Sequence, residues 1–123
     1  MSTRLTIRLD FDDSRRLGAG KVALLEAIDK EGSISAAGRA HGMSYRRAWL
    51  LIDELNQLFI EPLVSAHHGG AQGGGATLTG AGRRVVSLYR SAEAKMRACA
   101  SEEVETIELL LSNKRSPLTE PTL

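Results

Sequence analysis

Along the first residues, Leu5, Ile7, Leu9 and Phe11 alternate with Thr6, Arg8 and Asp10. That period of two predicts a half-buried strand over about residues 4–11, ended by Asp12-Asp13-Ser14. The period then changes. Val22, Leu24, Leu25 and Ile28 follow helical spacing over about residues 20–30, and Gly32 is placed to stop that helix in a left-handed conformation. Ser33 or Ser35 caps a second, short helix through Ile34, Ala36, Ala37 and Ala40, which Gly42 breaks. Ser44 caps a third, predicted over about Tyr45–Leu58, on which Ala48, Ile52, Leu55 and Phe59 form one apolar stripe. Beyond Pro62, Leu63-Val64 and Thr77-Leu78 read as short strands on either side of the loop "SAHHGGAQGGGA".

Thr79 opens the last helical pattern. Val85, Tyr89, Ala92, Met96 and Cys99 make one stripe, which resumes, shifted by one residue, at Ala100, Val104, Ile107 and Leu111. This predicts a single long amphipathic helix with more apolar surface than the domain before it can cover. The chain thus divides into a domain over residues 1–78, a long helix over 79–111, and a Pro-containing tail over 112–123 that reads as disordered.

Composition narrows the classes. The 123 residues are 42% hydrophobic and 25% charged, which is the balance of a soluble globular protein. No apolar run reaches the roughly 20 residues of a membrane span. The first residues lack the apolar core of a signal peptide, and Cys99 is the one cysteine, so a reducing cytoplasm is expected. The net charge of +1 hides a segregation. Residues 33–52 hold Arg39, Arg46, Arg47 and His41 but no acid, and residues 82–97 hold five bases against Glu93. Such a chain presents a basic face to a polyanion.

Strand, two helices with a tight turn into a third, two strands around a glycine loop and a long helix make up a mainly α winged helix-turn-helix with a small β-sheet. The small residues Ala36, Ala37 and Ala40 let the short helix lie close across the next, and Gly42 permits the sharp turn. The restarted helix then projects its first turn outward, where it fits the major groove of B-DNA. Arg46 and Arg47 stand in that turn against the helix macrodipole, a disfavoured placement that suggests a partner of opposite charge. Arg39 and, on the final helix, Arg83 and Arg84 complete the basic set.

The segments "GSISAAGRAHGMSYRRAWLLIDELNQLFIEPLVS" and "HHGGAQGGGATLTGAGRRVVSLY" together resemble the DNA-binding domain of the ModE family of molybdate-responsive regulators, a branch of the winged-helix group that includes LysR-type activators. The matching motifs are G-S-I-S-x-A, G-M-S-Y-x-x-A-W, D-E-L-N-Q, P-L-V, the glycine wing and L-T-x-x-G, over about residues 17–90. The resemblance implies that Ser44, Tyr45, Arg46 and Trp49 lie on a recognition helix. It also implies that Ser33 and Ser35 meet the DNA backbone, that the glycine loop is a wing, and that the final helix dimerises. The dimer surface would be Val85, Tyr89, Ala92, Met96, Cys99, Val104, Ile107 and Leu111. Where members often carry an acidic-basic pair after P-L-V, this chain has Ser65-Ala66. Many members continue into β-barrel domains that bind molybdate. This chain ends before any such segment, so molybdate binding is not expected of it.

Other chemistries are weaker. Adjacent His67 and His68 point apart in an extended segment and have no Cys, Asp or Glu in the loop to complete a metal shell; wing contacts to phosphate or water suit them better. The glycine loop lacks the G-K-[ST] ending of a phosphate cradle. No nucleophile is paired with a base and no carboxylates are placed for acid-base work, so neither an enzyme nor a cofactor is expected. Trp49 reads equally as a stacking residue or as one buried beside Ala48, and Cys99 as a packed, inert thiol. The expected partners are double-stranded DNA and a second copy of the chain, with no membrane. The rival reading is a winged-helix module docking an acidic protein, which would expose Leu50 or Leu51 on the basic helix.

Overall fold

A computed structural model of the chain describes residues 3–67 and 75–112. Its elements, in order, are β1 (Arg8–Asp10), β2 (Arg16–Gly18), α1 (Ala19–Glu31), α2 (Ile34–Ala40), α3 (Tyr45–Leu58), β3 (Val64–His67), β4 (Gly75–Leu78), α4 (Gly80–Cys99) and α5 (Ser101–Leu109). The architecture is the mainly α winged helix expected, with two antiparallel two-stranded sheets, β1–β2 and β3–β4.

The N-terminal strand is shorter than its alternation predicts, and it belongs to a hairpin. Only residues 8–10 pair, with Arg8 opposite Gly18 and Asp10 opposite Arg16. Asp12 builds the turn. Its carboxylate accepts from the backbone N–H groups of Ser14 and Arg15, at 3.0 and 2.8 Å, and from Arg15 Nε at 2.6 Å. The Arg15 guanidinium and these N–H donors hold the Asp12 pKa down to about 2. Only Leu17 of β2 is buried, so this strand left no hydrophobic period to read.

The core forms where α1, α2 and α3 meet the β3–β4 hairpin and the start of α4. Val22, Leu24, Leu25 and Ile28 of α1, with Ala48 and Leu55 of α3 and Leu63 before β3, are fully buried. Gly32 ends α1 with a φ of 79°, a left-handed conformation that glycine adopts without steric cost. Its carbonyl then accepts from Ala76 N–H at 2.8 Å, which docks β4 against the end of α1.

The predicted single helix over 79–111 is two helices. α4 runs to Cys99, and Ala100, at φ −101° and ψ 10°, leaves helical geometry before α5 begins at Ser101. The one-residue slip in the apolar stripe falls at this break. The charges agree, with Arg97 in the last turn of α4 and Glu102 and Glu103 in the first turn of α5, each favourable to its helix dipole. Thr3 donates a side-chain hydrogen bond to Glu108 of α5.

Two interactions fix α4 on the domain. Tyr89 is buried, and its hydroxyl donates to the Ile7 carbonyl at 2.6 Å; burial raises its pKa, so it stays a donor at neutral pH. Arg90 bridges α1 and α4, reaching Glu26 Oε1 at 2.6 Å and the buried Glu93 at 2.8 Å.

Candidate nucleic-acid interface

The site is built from the α2–α3 corner. Ser33, not Ser35, caps α2, its hydroxyl accepting from Ala36 N–H at 3.0 Å. At the other end of α2 the Gly38 carbonyl accepts from His41 and Met43 N–H, and Gly42 turns the chain at a φ of 66°. The close helix crossing does not use Ala36 and Ala40, as the run of small residues suggests; Ala40 is exposed and Ala36 half-buried. It uses the buried Ala37 and Gly38, and a Cβ on Gly38 would stand 3.0 Å from Ala48 Cβ. Ser44 then caps α3, accepting from Arg47 N–H at 3.2 Å.

At 100° per residue, α3 divides cleanly. Ala48, Ile52 and Leu55 face the core. Arg46 and Leu50 lie on the opposite side, with the half-buried Asp53 farther along it; Trp49 and Arg47 flank it, Tyr45 lies beyond Trp49, and Tyr45, Arg46, Arg47, Trp49 and Leu50 are exposed. Trp49 is 44% exposed and Tyr45 54%, which excludes the buried reading of Trp49. Arg39 is exposed on α2, its guanidinium donating to Ser35 Oγ at 3.3 Å. Leu50 is also 49% exposed, whereas Leu51 packs partly against the core. The helix therefore presents arginines and an apolar side chain together.

Beside α3 stands the β3–β4 hairpin, with Val64 opposite Leu78 and His67 opposite Gly75. Asn56 of α3 holds its base. Asn56 Oδ1 accepts from Leu63 and Val64 N–H at 2.8 and 3.0 Å, and Nδ2 donates to the Val64 carbonyl at 3.1 Å. Sequence reading passed over this residue, whose only signal was its place in the D-E-L-N-Q run. Asn56→Ala is expected to cost about 1–2 kcal/mol, because it strands two backbone donors, and to loosen the hairpin first. Hydrogen exchange that stays unchanged across residues 63–67 would contradict this role. His67 is exposed in β3; His68 and Gly69, Gly70, Gly73 and Gly74 lie outside the described residues.

The arginines of α4 do not act as one pair. Arg83 reaches back to Asp29 at 3.3 Å and donates to the Leu78 carbonyl. Arg84 lines a different face, with Phe59, Ile60 and Leu88. The stripe read as a dimer surface also divides. Tyr89 is consumed inside the protomer and Val85 packs against its core. Ala92, Met96, Cys99, Ile107 and Leu111 are exposed, Cys99 therefore not packed within the protomer, and Val104 is half-buried. Among the described residues no three His, Cys, Asp or Glu side chains cluster as metal ligands, and no helix is long and apolar enough to cross a membrane.

Residues 20–83, from the start of α1 through the first turn of α4, match the family described as bacterial regulatory helix-turn-helix protein, lysR family. The chain belongs to this family. It is a family of regulators rather than of enzymes. Among its relatives, the chain is 47% identical over 94 residues to the molybdenum transport protein ModE of Azotobacter vinelandii, a match covering 75% of this chain and 35% of that protein. It is 44% identical over 94 residues to the molybdenum-pterin-binding protein MopB of Rhodobacter capsulatus, covering 76% and 35%. The DNA-binding transcriptional dual regulator ModE of Escherichia coli strain K12 is 43% identical over 88 residues, covering 69% and 32%. The chain thus spans about a third of the length of the curated relatives it matches, and the resemblance read from its motifs is to these proteins.

Proposed function

We propose that this domain binds double-stranded DNA as a cytoplasmic transcription regulator, with α3 in the major groove and the β3–β4 hairpin as a wing along the backbone. One observation carries the reading: the side of α3 turned away from the core begins with the exposed Arg46, next to the exposed Arg47, and residues 33–52 contain no acid to neutralise them. A guanidinium in the first turn of such a helix meets guanine O6 and N7 in a bidentate pair. Arg39 and Arg47 suit phosphates, as do Ser33, Ser35, Ser44 and the wing histidines. Arg83 and Arg84 extend the backbone contacts, Arg83 by exchanging its exposed Asp29 pair, worth little in water, for a phosphate.

The test is a comparison of substitutions on a site selected from random duplex DNA. Arg46→Ala is expected to cost about 1–3 kcal/mol and to relax discrimination at one base pair, while Arg47→Ala weakens all sequences alike and lowers the salt slope by about one. Equal, sequence-independent losses from both would reduce Arg46 to a phosphate contact. The exposed Leu50 favours a second reading, association with an acidic protein through the same helix; binding that depends on Leu50 but is indifferent to DNA would support it.

The same reading includes a homodimer on a two-fold site. Support comes from the exposed apolar side chains of α4 and α5, above all Met96 and Ile107, and from a groove of about 320 Å³ that Leu9, Phe11, Leu88 and Ala92 line on the first half of α4. Two linked domains gain affinity that one domain with few base contacts lacks.

A further inference from the structure

Leu50 stands four residues after Arg46, on the same outward side of α3, with half its surface open. A lone exposed leucine needs no explanation on an ordinary surface. This one is surrounded differently, by Arg46 one turn back, Arg47 three residues back and Trp49 alongside, on a helix whose core contacts are supplied by other residues; Glu54, one turn ahead, is paired with Lys21 at 2.7 Å. The nearest acid on this side, Asp53, lies farther along the helix and accepts a hydrogen bond from Gln57 at 2.9 Å.

We infer that Leu50 is a specificity-determining residue that reads the 5-methyl group of a thymine one or two base pairs from the one engaged by Arg46. The inference rests on the DNA-binding reading proposed above. Major-groove edges consist of hydrogen-bond donors and acceptors, except for the thymine methyl, which is apolar. A leucine offers no donor or acceptor, so against cytosine N4 or guanine O6 it would strip water from a polar group and return nothing. Against thymine it buries a methyl. Four residues of helix advance about 6 Å, which corresponds to one or two base-pair steps of about 3.4 Å. The arginines beside it draw the helix to a polyanion; an acidic protein would share that attraction but offers no thymine methyl, which is what the experiment reads.

The experiment uses the full chain and a duplex obtained by selection from random sequence, in which thymines are replaced singly by deoxyuridine, a change that removes only the methyl. At one position, one or two base pairs from the one sensitive to Arg46→Ala, the wild-type chain is expected to bind the uracil duplex three- to five-fold more weakly, about the effect of one buried methyl. Leu50→Ala should bind the thymine duplex about that much more weakly and make no distinction between thymine and uracil there. Because the side chain is half exposed, its removal should leave the thermal midpoint nearly unchanged, which separates lost recognition from lost folding. Leu50→Ala that still prefers thymine at every position, or a wild-type chain indifferent to every uracil substitution, would overturn the inference while leaving DNA binding in place. A chain for which no sequence can be selected would remove the DNA-binding reading and this inference with it.

Discussion

Gly82→Ala is expected to lower the midpoint of thermal unfolding by about 10 °C or more. In the first turn of α4, a Cβ at this position would fall far inside van der Waals contact distance of the Leu63 carbonyl oxygen and 3.1 Å from its carbonyl carbon. Backbone on both sides cannot yield as a flexible side chain can. The same Leu63 carbonyl accepts from Thr79 N–H at 2.9 Å, and the Thr79 hydroxyl donates to Pro62 and accepts from Gly82 N–H. α4 would have to lift off β3 to admit the methyl. Alanine gains about 1 kcal/mol over glycine inside a helix, but overpacking against a fixed carbonyl costs about 3 kcal/mol, so the clash decides the sign. Gly80 is the control. Nothing lies within 4 Å of a Cβ built there, and Gly80→Ala should be neutral or slightly stabilising. Gly82→Ala as stable as Gly80→Ala by calorimetry would mean that α4 does not seat on Leu63 as described.

That contact also shows where sequence reading runs out. α3 was legible to its ends because three local signals coincide: Gly42 at positive φ, the Ser44 cap and an apolar stripe beginning at Ala48. The cap at Thr79 and the left-handed Gly32 were legible for the same reason, since each acts within four residues of itself, and the α2 cap was legible as Ser33 or Ser35, of which the structure uses Ser33. What escaped depends on distant partners. β2 has one buried residue and exists because the Asp12 turn folds it onto β1. Asn56 works through backbone groups of Leu63 and Val64, and Gly82 is small for the sake of Leu63. Trp49 misleads because it follows Ala48 in sequence. A neighbour in a helix is turned by 100°, which carries Trp49 out of the core that Ala48 fills. The surface of α3 was thus readable as basic, whereas which of Leu50 and Leu51 stands open beside the arginines was decided only by the packing of the opposite side, which takes Leu51 and leaves Leu50.

The double substitution Met96→Glu with Ile107→Glu is expected to convert a dimer into a folded monomer and to weaken binding to a two-fold DNA site by about 10²- to 10⁴-fold, the gain that linking two domains provides. Both side chains are open in the protomer, Met96 at 49% and Ile107 at 61%, so the charges disturb no core within it. Tyr89 and Arg90, which fix α4 to the domain through Ile7 and Glu26, are untouched. The break at Ala100 makes the pair of sites informative, because Met96 lies on α4 and Ile107 on α5. If only α4 forms the interface, Met96→Glu alone gives the whole effect and Ile107→Glu alone gives none. If both helices contribute, each single change weakens association and the two together abolish it. A carboxylate at either position would be desolvated against an apolar partner surface, a cost of several kcal/mol that association does not recover. Binding to a single half-site should change little, since α3 and the wing lie in the intact domain. Sedimentation that finds the unsubstituted chain monomeric at micromolar concentration, or the doubly substituted chain still dimeric, would end this reading, and the exposed faces of α4 and α5 would then need another partner.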